Sequence, residues 1–276
     1  AHLQPDAAAD PRVGDDDVEP VAAGGVERDS TRLNHLHHQV ARHRHLVARR
    51  VHRVQADQRL EQPDLFDDLP APVSEENLAD GAVLLRGFAL ADATALVSAA
   101  QDVMRRAPLR HMVTPGGLAM AVAMTNCGPL GWVSDRKGYR YQGTDPVSGA
   151  PWPAMPDVMI ALAMRAADHA GYPGFAPDAC LVNEYRAGTR LSLHQDRDEL
   201  DFAAPIVSVS LGLPAVFLFG GQARSGPVSR YRLAHGDVVV WGGASRLAFH
   251  GVAPLAAGLH PLLGERRINL TFRRAR

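Results

Sequence analysis

The segment from Asn183 to Asp198 reads NEYRAGTRLSLHQDRD, and the rest of the chain is organised around it. If LSLHQD forms a strand, its period of two points the side chains of His194 and Asp196 to the same face. An imidazole and a carboxylate on one face can hold one metal ion. A second His-x-Asp pair, His235 and Asp237, lies in a turn before the apolar run VVVW, so the pattern alone is a weak signal.

The best candidate for a third ligand is His250, at the end of SRLAFH. Two histidines and one carboxylate on one side of a metal leave coordination positions open on the other side. This is the arrangement of non-haem Fe(II) oxygenases.

The C-terminal run RRINLTFRR alternates as a strand does. One face carries four polar side chains: Arg267, Asn269, Thr271 and Arg273. Two arginines that face the inside of a barrel are costly unless an anion pairs with them. A dicarboxylate cosubstrate would supply that anion.

Several further blocks occur in a fixed order with these motifs. They are MVTPGG at 112–117, AMTNCG at 123–128, PWPAMP at 151–156, GYPGFAPDACLVN at 171–183, WGGASRLAFHG at 241–251 and RINLTFRR at 267–274. Together with NEY and HQD they resemble the bacterial AlkB family over roughly residues 65–273. Members of that family are Fe(II)- and 2-oxoglutarate-dependent dioxygenases that demethylate damaged nucleic acid bases.

The resemblance implies a set of cofactors and the residues that bind them. Fe(II) would be held by His194, Asp196 and His250, and O2 would react at the metal. The cosubstrate 2-oxoglutarate would contact five residues: Asn183, Tyr185, Arg267, Asn269 and Arg273. From the strand pattern alone, Asn183 and Tyr185 could equally be polar core groups that satisfy neighbouring backbone.

A cluster of aromatic and basic residues precedes the predicted barrel: Trp132, Tyr139, Arg140 and Tyr141. Such a cluster suits stacking of an exposed base and binding of phosphate, although aromatic residues there could also be core. By the resemblance, Asp198 contacts the base and Arg224 lies on the substrate side. The implied substrates are 1-methyladenine and 3-methylcytosine in single-stranded DNA, with double-stranded DNA and RNA left open.

Two positions depart from the family pattern. Leu118 follows MVTPGG where an aromatic residue is expected, and Glu184 stands between Asn183 and Tyr185 where a basic residue is usual. Neither departure removes a ligand. By the resemblance, both positions concern contact with the phosphate backbone of the substrate.

Composition indicates a globular protein, at 46% apolar and 21% charged residues. A formal net charge of -1 gives no bulk attraction to nucleic acid, so such binding needs a local patch. The two cysteines, Cys127 and Cys180, fit buried thiols of the reducing cytosol. No apolar run is long enough for a membrane helix. We therefore expect a cytoplasmic monomer.

Residues 1–64 contain no Phe, Trp, Tyr, Met, Ile or Cys and hold seven of the thirteen histidines. We expect this extension to be largely disordered, because it offers few large apolar groups. Residues 65–276 would form the dioxygenase domain, with a substrate-recognition part at about 112–155 and a jelly-roll core at about 179–273.

The strand and helix pattern predicts a mainly β fold with flanking α-helices, namely a double-stranded β-helix (jelly-roll). GAVLLRGF is the first predicted strand, and Asp92 could cap a first helix. A second helix is expected at about 156–170. The predicted barrel strands are ACLVNEY, LSLHQD, IVSVSLG, AVFLFG, VSRYRL, DVVVW, RLAFH and INLTF.

Two other interpretations stay open at this point. The chain could be a non-catalytic jelly-roll module that binds nucleic acid, or a dioxygenase that acts on a protein or a small molecule. A zinc hydrolase is disfavoured, because the chain has no HExxH helix to supply a base.

Overall fold

The computed structural model describes residues 74–276. The extension predicted at 1–64 lies outside the described residues. The elements in the first half are β1 (Ser74–Ala79), β2 (Ala82–Arg86), α1 (Ala93–Arg106), β3 (Arg110–Val113), β4 (Ala119–Cys127), β5 (Gly131–Asp135), β6 (Gly138–Gln142) and α2 (Asp157–His169). Those in the second half are β7 (Ala179–Arg186), β8 (Leu191–His194), β9 (Ile206–Gly212), β10 (Ala215–Gly220), β11 (Val228–Leu233), β12 (Val238–Trp241), β13 (His250–Val252) and β14 (Arg266–Arg273).

The strands form two main sheets and one separate hairpin. The larger sheet has eight strands in the order β1-β2-β12-β9-β14-β7-β4-β3, and the smaller has four in the order β11-β10-β13-β8. The hairpin pairs β5 with β6. This mainly β architecture with two flanking helices confirms the predicted jelly-roll class.

The central strands of the large sheet have one apolar face and one polar face. On β9, Val207 and Val209 belong to the cluster that α1 and α2 cover, while Ser208 and Ser210 are buried on the opposite face. Burial of each large aliphatic side chain in this layer stabilises the fold by about 1.5–3 kcal/mol. The helices therefore fix one side of the sheet and leave its polar side free to line a cavity.

Both predicted helices are present, with a different role for Asp92. Its side chain makes no capping hydrogen bond at the start of α1. Instead, its carboxylate pairs with Arg165 of α2 at 2.6 Å, which ties the two helices together. Neither helix in residues 74–276 has the length and apolar character needed to cross a membrane.

The strand prediction was incomplete: β1, β3, β5 and β6 were not predicted, and one predicted strand is mostly loop. β1, with sequence SEENLA, was missed because it is an edge strand with little apolar alternation. RLAFH was predicted as a strand, but only His250 of it is in one. Arg246 at its start instead donates to loop carbonyls of Ala204 and Asp196, so the segment forms loop contacts in place of a ladder.

Candidate active site

Three potential metal ligands converge at the edge where β8 ends and β13 begins. His194 and His250 are direct partners in the register of these two strands, and their ring centroids lie 4.3 Å apart. Asp196 follows the end of β8. Its Oδ1 lies 3.6 Å from His194 Nε2, and its Oδ2 lies 3.9 Å from His250 Nε2. One ligand atom from each residue lies within 4.8 Å of the others. The structure therefore brings together the three residues that the sequence singled out, although the strand stops two residues before Asp196.

The protonation states of the cluster suit a divalent metal. The Nδ1 atom of His194 lies 2.9 Å from the carbonyl of Ser192, and that of His250 lies 3.0 Å from the carbonyl of Ala248. An Nδ1–H that donates to these carbonyls leaves each Nε2 lone pair free to bind metal. Burial, and then the nearby His194, lower the pKa of His250 to about 4, so the ring is neutral.

Asp196 is held as a carboxylate. Burial raises its pKa, but Arg273 and the two histidines together outweigh burial, so the pKa lies well below the usual range. Two imidazoles with one carboxylate form the donor set that suits Fe(II) with open positions. The residues present therefore fit that metal.

Arg267 is a buried cation that lacks a counter-charge. Its side chain is 1% exposed and stacks on the ring of Tyr185, with the guanidinium carbon 4.9 Å from the ring centroid. Nη2 donates to Ser210 Oγ at 2.8 Å, but Nε and Nη1 have no hydrogen-bond partner among the residues described. Burial lowers its pKa, which reflects this cost. An unpaired buried guanidinium beside a metal cluster fits a carboxylate ligand such as 2-oxoglutarate.

Arg273 has a different environment. Its Nε donates to Asp196 Oδ2 at 2.8 Å, and its Nη2 lies 2.6 Å from the same oxygen. Burial lowers its pKa, but Asp196 and its other acidic neighbours, Tyr141 and Glu199, together outweigh burial, so the pKa is raised. The two arginines lie on one face of the strand, as alternation predicts, but they have different roles. Arg267 is free to bind an anion, whereas Arg273 already pairs with a proposed metal ligand.

Amide and hydroxyl groups complete this wall. Asn269 Oδ1 accepts hydrogen bonds from Thr271 Oγ1 at 2.9 Å and from Asn183 Nδ2 at 3.4 Å, while its Nδ2 donates to Ser208 Oγ at 2.8 Å. These side chains, Arg267 and the metal cluster all line one cavity of about 730 Å³. Such a chain of bonds fixes the Asn183 and Asn269 amides before any ligand arrives.

The β5–β6 hairpin forms one side of the cavity mouth. Trp132 and Tyr139 stack with ring centroids 5.6 Å apart and planes 13° apart, and Trp132 Nε1 donates to Asp198 Oδ2 at 2.7 Å. Tyr141 is on the same face of β6 as Tyr139 and lines the cavity, as does Arg224 in the loop between β10 and β11. We call this hairpin, Gly131–Asp135 with Gly138–Gln142, the lid.

Arg140 does not join the other members of the predicted cluster. It lies between Tyr139 and Tyr141, so the period of two turns it to the other face of the lid. There its guanidinium pairs with Asp135 at 2.8 Å, and it does not line the cavity. The substrate role expected for Arg140 is therefore not supported by its position.

Comparison with known proteins agrees with this geometry. The model for the "2OG-Fe(II) oxygenase superfamily" matches residues 81–273. "Alpha-ketoglutarate-dependent dioxygenase AlkB" of Escherichia coli (strain K12) is 58% identical over 212 residues, which cover 77% of this chain and 97% of that protein.

The chain belongs to the AlkB family of 2OG-Fe(II) oxygenases.

More distant relatives from the AlkB family match this chain at lower identity. The mouse "Nucleic acid dioxygenase ALKBH1" is 35% identical over 124 residues, which cover 45% of this chain and 31% of that protein. The solved structure of OsALKBH1 superposes with a TM-score of 0.65 at 30% identity, covering 73% of this chain and all of that one. Membership makes this chain an Fe(II)- and 2-oxoglutarate-dependent dioxygenase that uses O2.

Sequence reasoning missed two positions of this AlkB site. Asn126, 1% exposed, donates from Nδ2 to the carbonyl of Trp132 and accepts from its N–H, at 2.9 and 3.0 Å. Glu199, 4% exposed, lies in DRDELD, which resembles a solvated acidic run. No local pattern distinguishes either residue, because the partners of each lie on other elements of the fold.

The two departures from the AlkB pattern lie away from the metal. Leu118 is 74% exposed in the turn between β3 and β4. Glu184 is on the face of β7 opposite to Asn183 and does not line the cavity; it pairs with Arg186 and Arg266, each at 3.0 Å. The acidic side chain is therefore neutralised within the protein.

Proposed function

We propose that this protein demethylates N-alkylated bases in nucleic acid, above all 1-methyladenine and 3-methylcytosine in single-stranded DNA. His194, Asp196 and His250 would hold Fe(II), and Arg267 with Asn183, Tyr185, Asn269 and Arg273 would surround 2-oxoglutarate. When bound, Fe(II), 2-oxoglutarate and O2 supply the oxidation: the diacid becomes succinate and CO2, an N-methyl C–H bond is hydroxylated, and the hydroxymethyl group leaves as formaldehyde.

The observation that carries this proposal is the lid at the cavity mouth. A flat pair of aromatic rings, Trp132 and Tyr139, offers a stacking surface for an extruded base. The Asp198 carboxylate hydrogen-bonds to that surface and supplies a negative charge, which favours a base that methylation has made cationic. The mouse relative named a nucleic acid dioxygenase supports the same substrate class.

The cavity rim supplies the local basic patch that the overall charge does not. Arg190, Arg197 and Arg224 line the cavity, and each could pair with backbone phosphate. Double-stranded DNA and RNA stay open as further substrates. A monomer in the cytoplasm completes the proposal, since both cysteines of the described residues are buried free thiols, as suits a reducing compartment.

The test incubates the full chain with Fe(II), 2-oxoglutarate and a single-stranded oligonucleotide that carries 3-methylcytosine, and measures succinate and formaldehyde. We expect both products, and formaldehyde only with the methylated strand. Succinate without formaldehyde would indicate a protein or small-molecule substrate. Neither product from folded protein would indicate a non-catalytic binding module.

A charge-neutral variant sharpens the test. Asp198→Asn keeps an oxygen acceptor for Trp132 but removes the negative charge. We expect the KM for the 3-methylcytosine strand to rise about tenfold, which corresponds to ~1.4 kcal/mol. Asp201→Asn is the matched control in the same acidic run, because Asp201 pairs with Arg274 at 3.4 Å and does not line the cavity. An equal effect of both variants would refute a specific role for Asp198.

A further inference from the structure

Glu199 is a buried carboxylate with three partners from three parts of the chain. Tyr141 Oη donates to its Oε1 at 2.6 Å, and Arg246 Nη2 donates to its Oε2 at 3.1 Å. The Nε atom of Arg273 lies 3.4 Å from Oε1. The side chain of Glu199 is only 2% exposed, so solvent screens these contacts little.

Each partner leads to a different part of the site. Tyr141 is on β6 of the lid. Arg273 is on β14 and holds the carboxylate of Asp196, while Arg246 donates from Nη1 to the main-chain carbonyl of Asp196 at 3.1 Å. Glu199 thus contacts the lid directly and reaches Asp196 through two arginines.

The charges in this network balance. Two carboxylates, Asp196 and Glu199, face two guanidiniums, Arg246 and Arg273, and all four are buried. Burial raises the pKa of Tyr141 well above its usual value, so its hydroxyl keeps the proton that it donates. In a buried and satisfied network, displacement of one member shifts the others, because any unpaired charge is costly.

We propose that Glu199 is a positioning residue that links the lid to Arg273 and Asp196, so that binding of a methylated base and binding of 2-oxoglutarate strengthen each other. This inference rests on the proposed function, since it needs a nucleic acid substrate under the lid. A base that presses on the lid fixes Tyr141, and Tyr141 fixes Glu199. Glu199 then holds Arg273 in the wall of the diacid pocket.

The test measures binding without turnover. The full chain is loaded with Mn(II) in place of Fe(II), and the Kd for 2-oxoglutarate is determined by calorimetry with and without a saturating 3-methylcytosine oligonucleotide. The ratio of the two Kd values is the coupling factor. For the wild type we expect a factor of about five or more, the lower end for coupled sites. For Glu199→Gln we expect a factor near one.

The chain contains a matched control for this variant. Glu184 is also a buried carboxylate between two arginines, Arg186 and Arg266, but it lies outside the cavity. Glu184→Gln should therefore lose similar stability and keep the wild-type coupling factor. If Glu199→Gln does not fold, Tyr141→Phe removes only the lid end of the link, and it too should bring the factor towards one.

The inference is overturned by a wild-type factor of one, or by folded Glu199→Gln or Tyr141→Phe protein that retains the wild-type factor. Loss of coupling in Glu184→Gln as well would also overturn it, because the effect would then reflect general destabilisation. Formaldehyde release by the wild type is scored separately. Formaldehyde with no coupling refutes only the role of Glu199, whereas coupling without formaldehyde refutes the proposed function.

Discussion

Replacement of Arg267 by methionine should separate ligand binding from protein stability. In the ligand-free protein the guanidinium has one side-chain hydrogen bond, to Ser210, and two nitrogens with no partner among the described residues. Methionine is unbranched and flexible but carries no charge, so the variant removes a buried cation that lacks compensation. We therefore expect the free energy of unfolding of the ligand-free protein to change by less than about 1 kcal/mol.

Binding of 2-oxoglutarate should respond much more strongly. Hydrogen bonds to a charged group contribute about 1.5–3 kcal/mol each, so two bonds from the unpaired nitrogens amount to roughly 3–6 kcal/mol. Since about 1.4 kcal/mol corresponds to a factor of ten, the Kd should rise by roughly 100-fold or more. Calorimetry on the Mn(II)-loaded protein measures this Kd directly.

Arg246→Met provides the contrast. All three nitrogens of Arg246 are paired, with Ala204, Asp196 and Glu199, so its removal leaves buried partners unsatisfied. We expect a loss of about 3–5 kcal/mol in urea unfolding. An unchanged Kd in folded Arg267→Met protein would refute the cosubstrate pocket. A stability loss as large as that of Arg246→Met would show that Arg267 is paired in the free protein.

Two further predictions concern the lid and the pH dependence of stability. Asn126→Leu removes both hydrogen bonds to the Trp132 backbone, which hold the lid in place. Fluorescence anisotropy should therefore show about tenfold weaker binding of a methylated oligonucleotide, while the Kd for 2-oxoglutarate stays unchanged. Equal weakening of both ligands would refute a role specific to the lid. His235 Nδ1 accepts from the Gly212 N–H at 3.0 Å, and burial, then His260, lower its pKa below the ordinary 6.5. The unfolded chain therefore takes up the proton first, and His235 contributes stability that is complete above pH 6.5 and lost as the pH falls towards its folded-state pKa. Urea unfolding at pH 5 and 7.5 should show a smaller difference for His235→Asn, which keeps an acceptor that does not titrate, and an unchanged difference would contradict this account.

Much of the strand framework is readable from local alternation. IVSVSLG and INLTF each place apolar and polar groups on opposite faces, and each lies within a strand of the large sheet. The period of two also decides which residues look into the barrel, because it follows from backbone geometry alone. The lid shows the same rule: the alternation that brings Tyr139 and Tyr141 to the cavity turns Arg140 away.

The identity of the candidate metal ligands was likewise available before the structure. His194 and Asp196 are close in the chain, and His250 was selected by the motif that surrounds it. Their convergence depends on the pairing of β8 with β13, in which His194 lies opposite His250. That pairing joins segments far apart in the chain, and local periodicity does not specify which strands become neighbours.

Tertiary structure alone decided the state of each buried charge. Arg267 and Arg273 occupy equivalent positions in one alternating run, yet one lacks a counter-charge and the other holds Asp196. Glu199 is in an acidic run typical of an exposed surface, yet it is buried between the lid and two arginines. The local sequence determines the face of the strand to which a side chain points, because alternation follows from local backbone geometry. The partner of that side chain is determined by the packing of distant strands, which only the folded chain brings together.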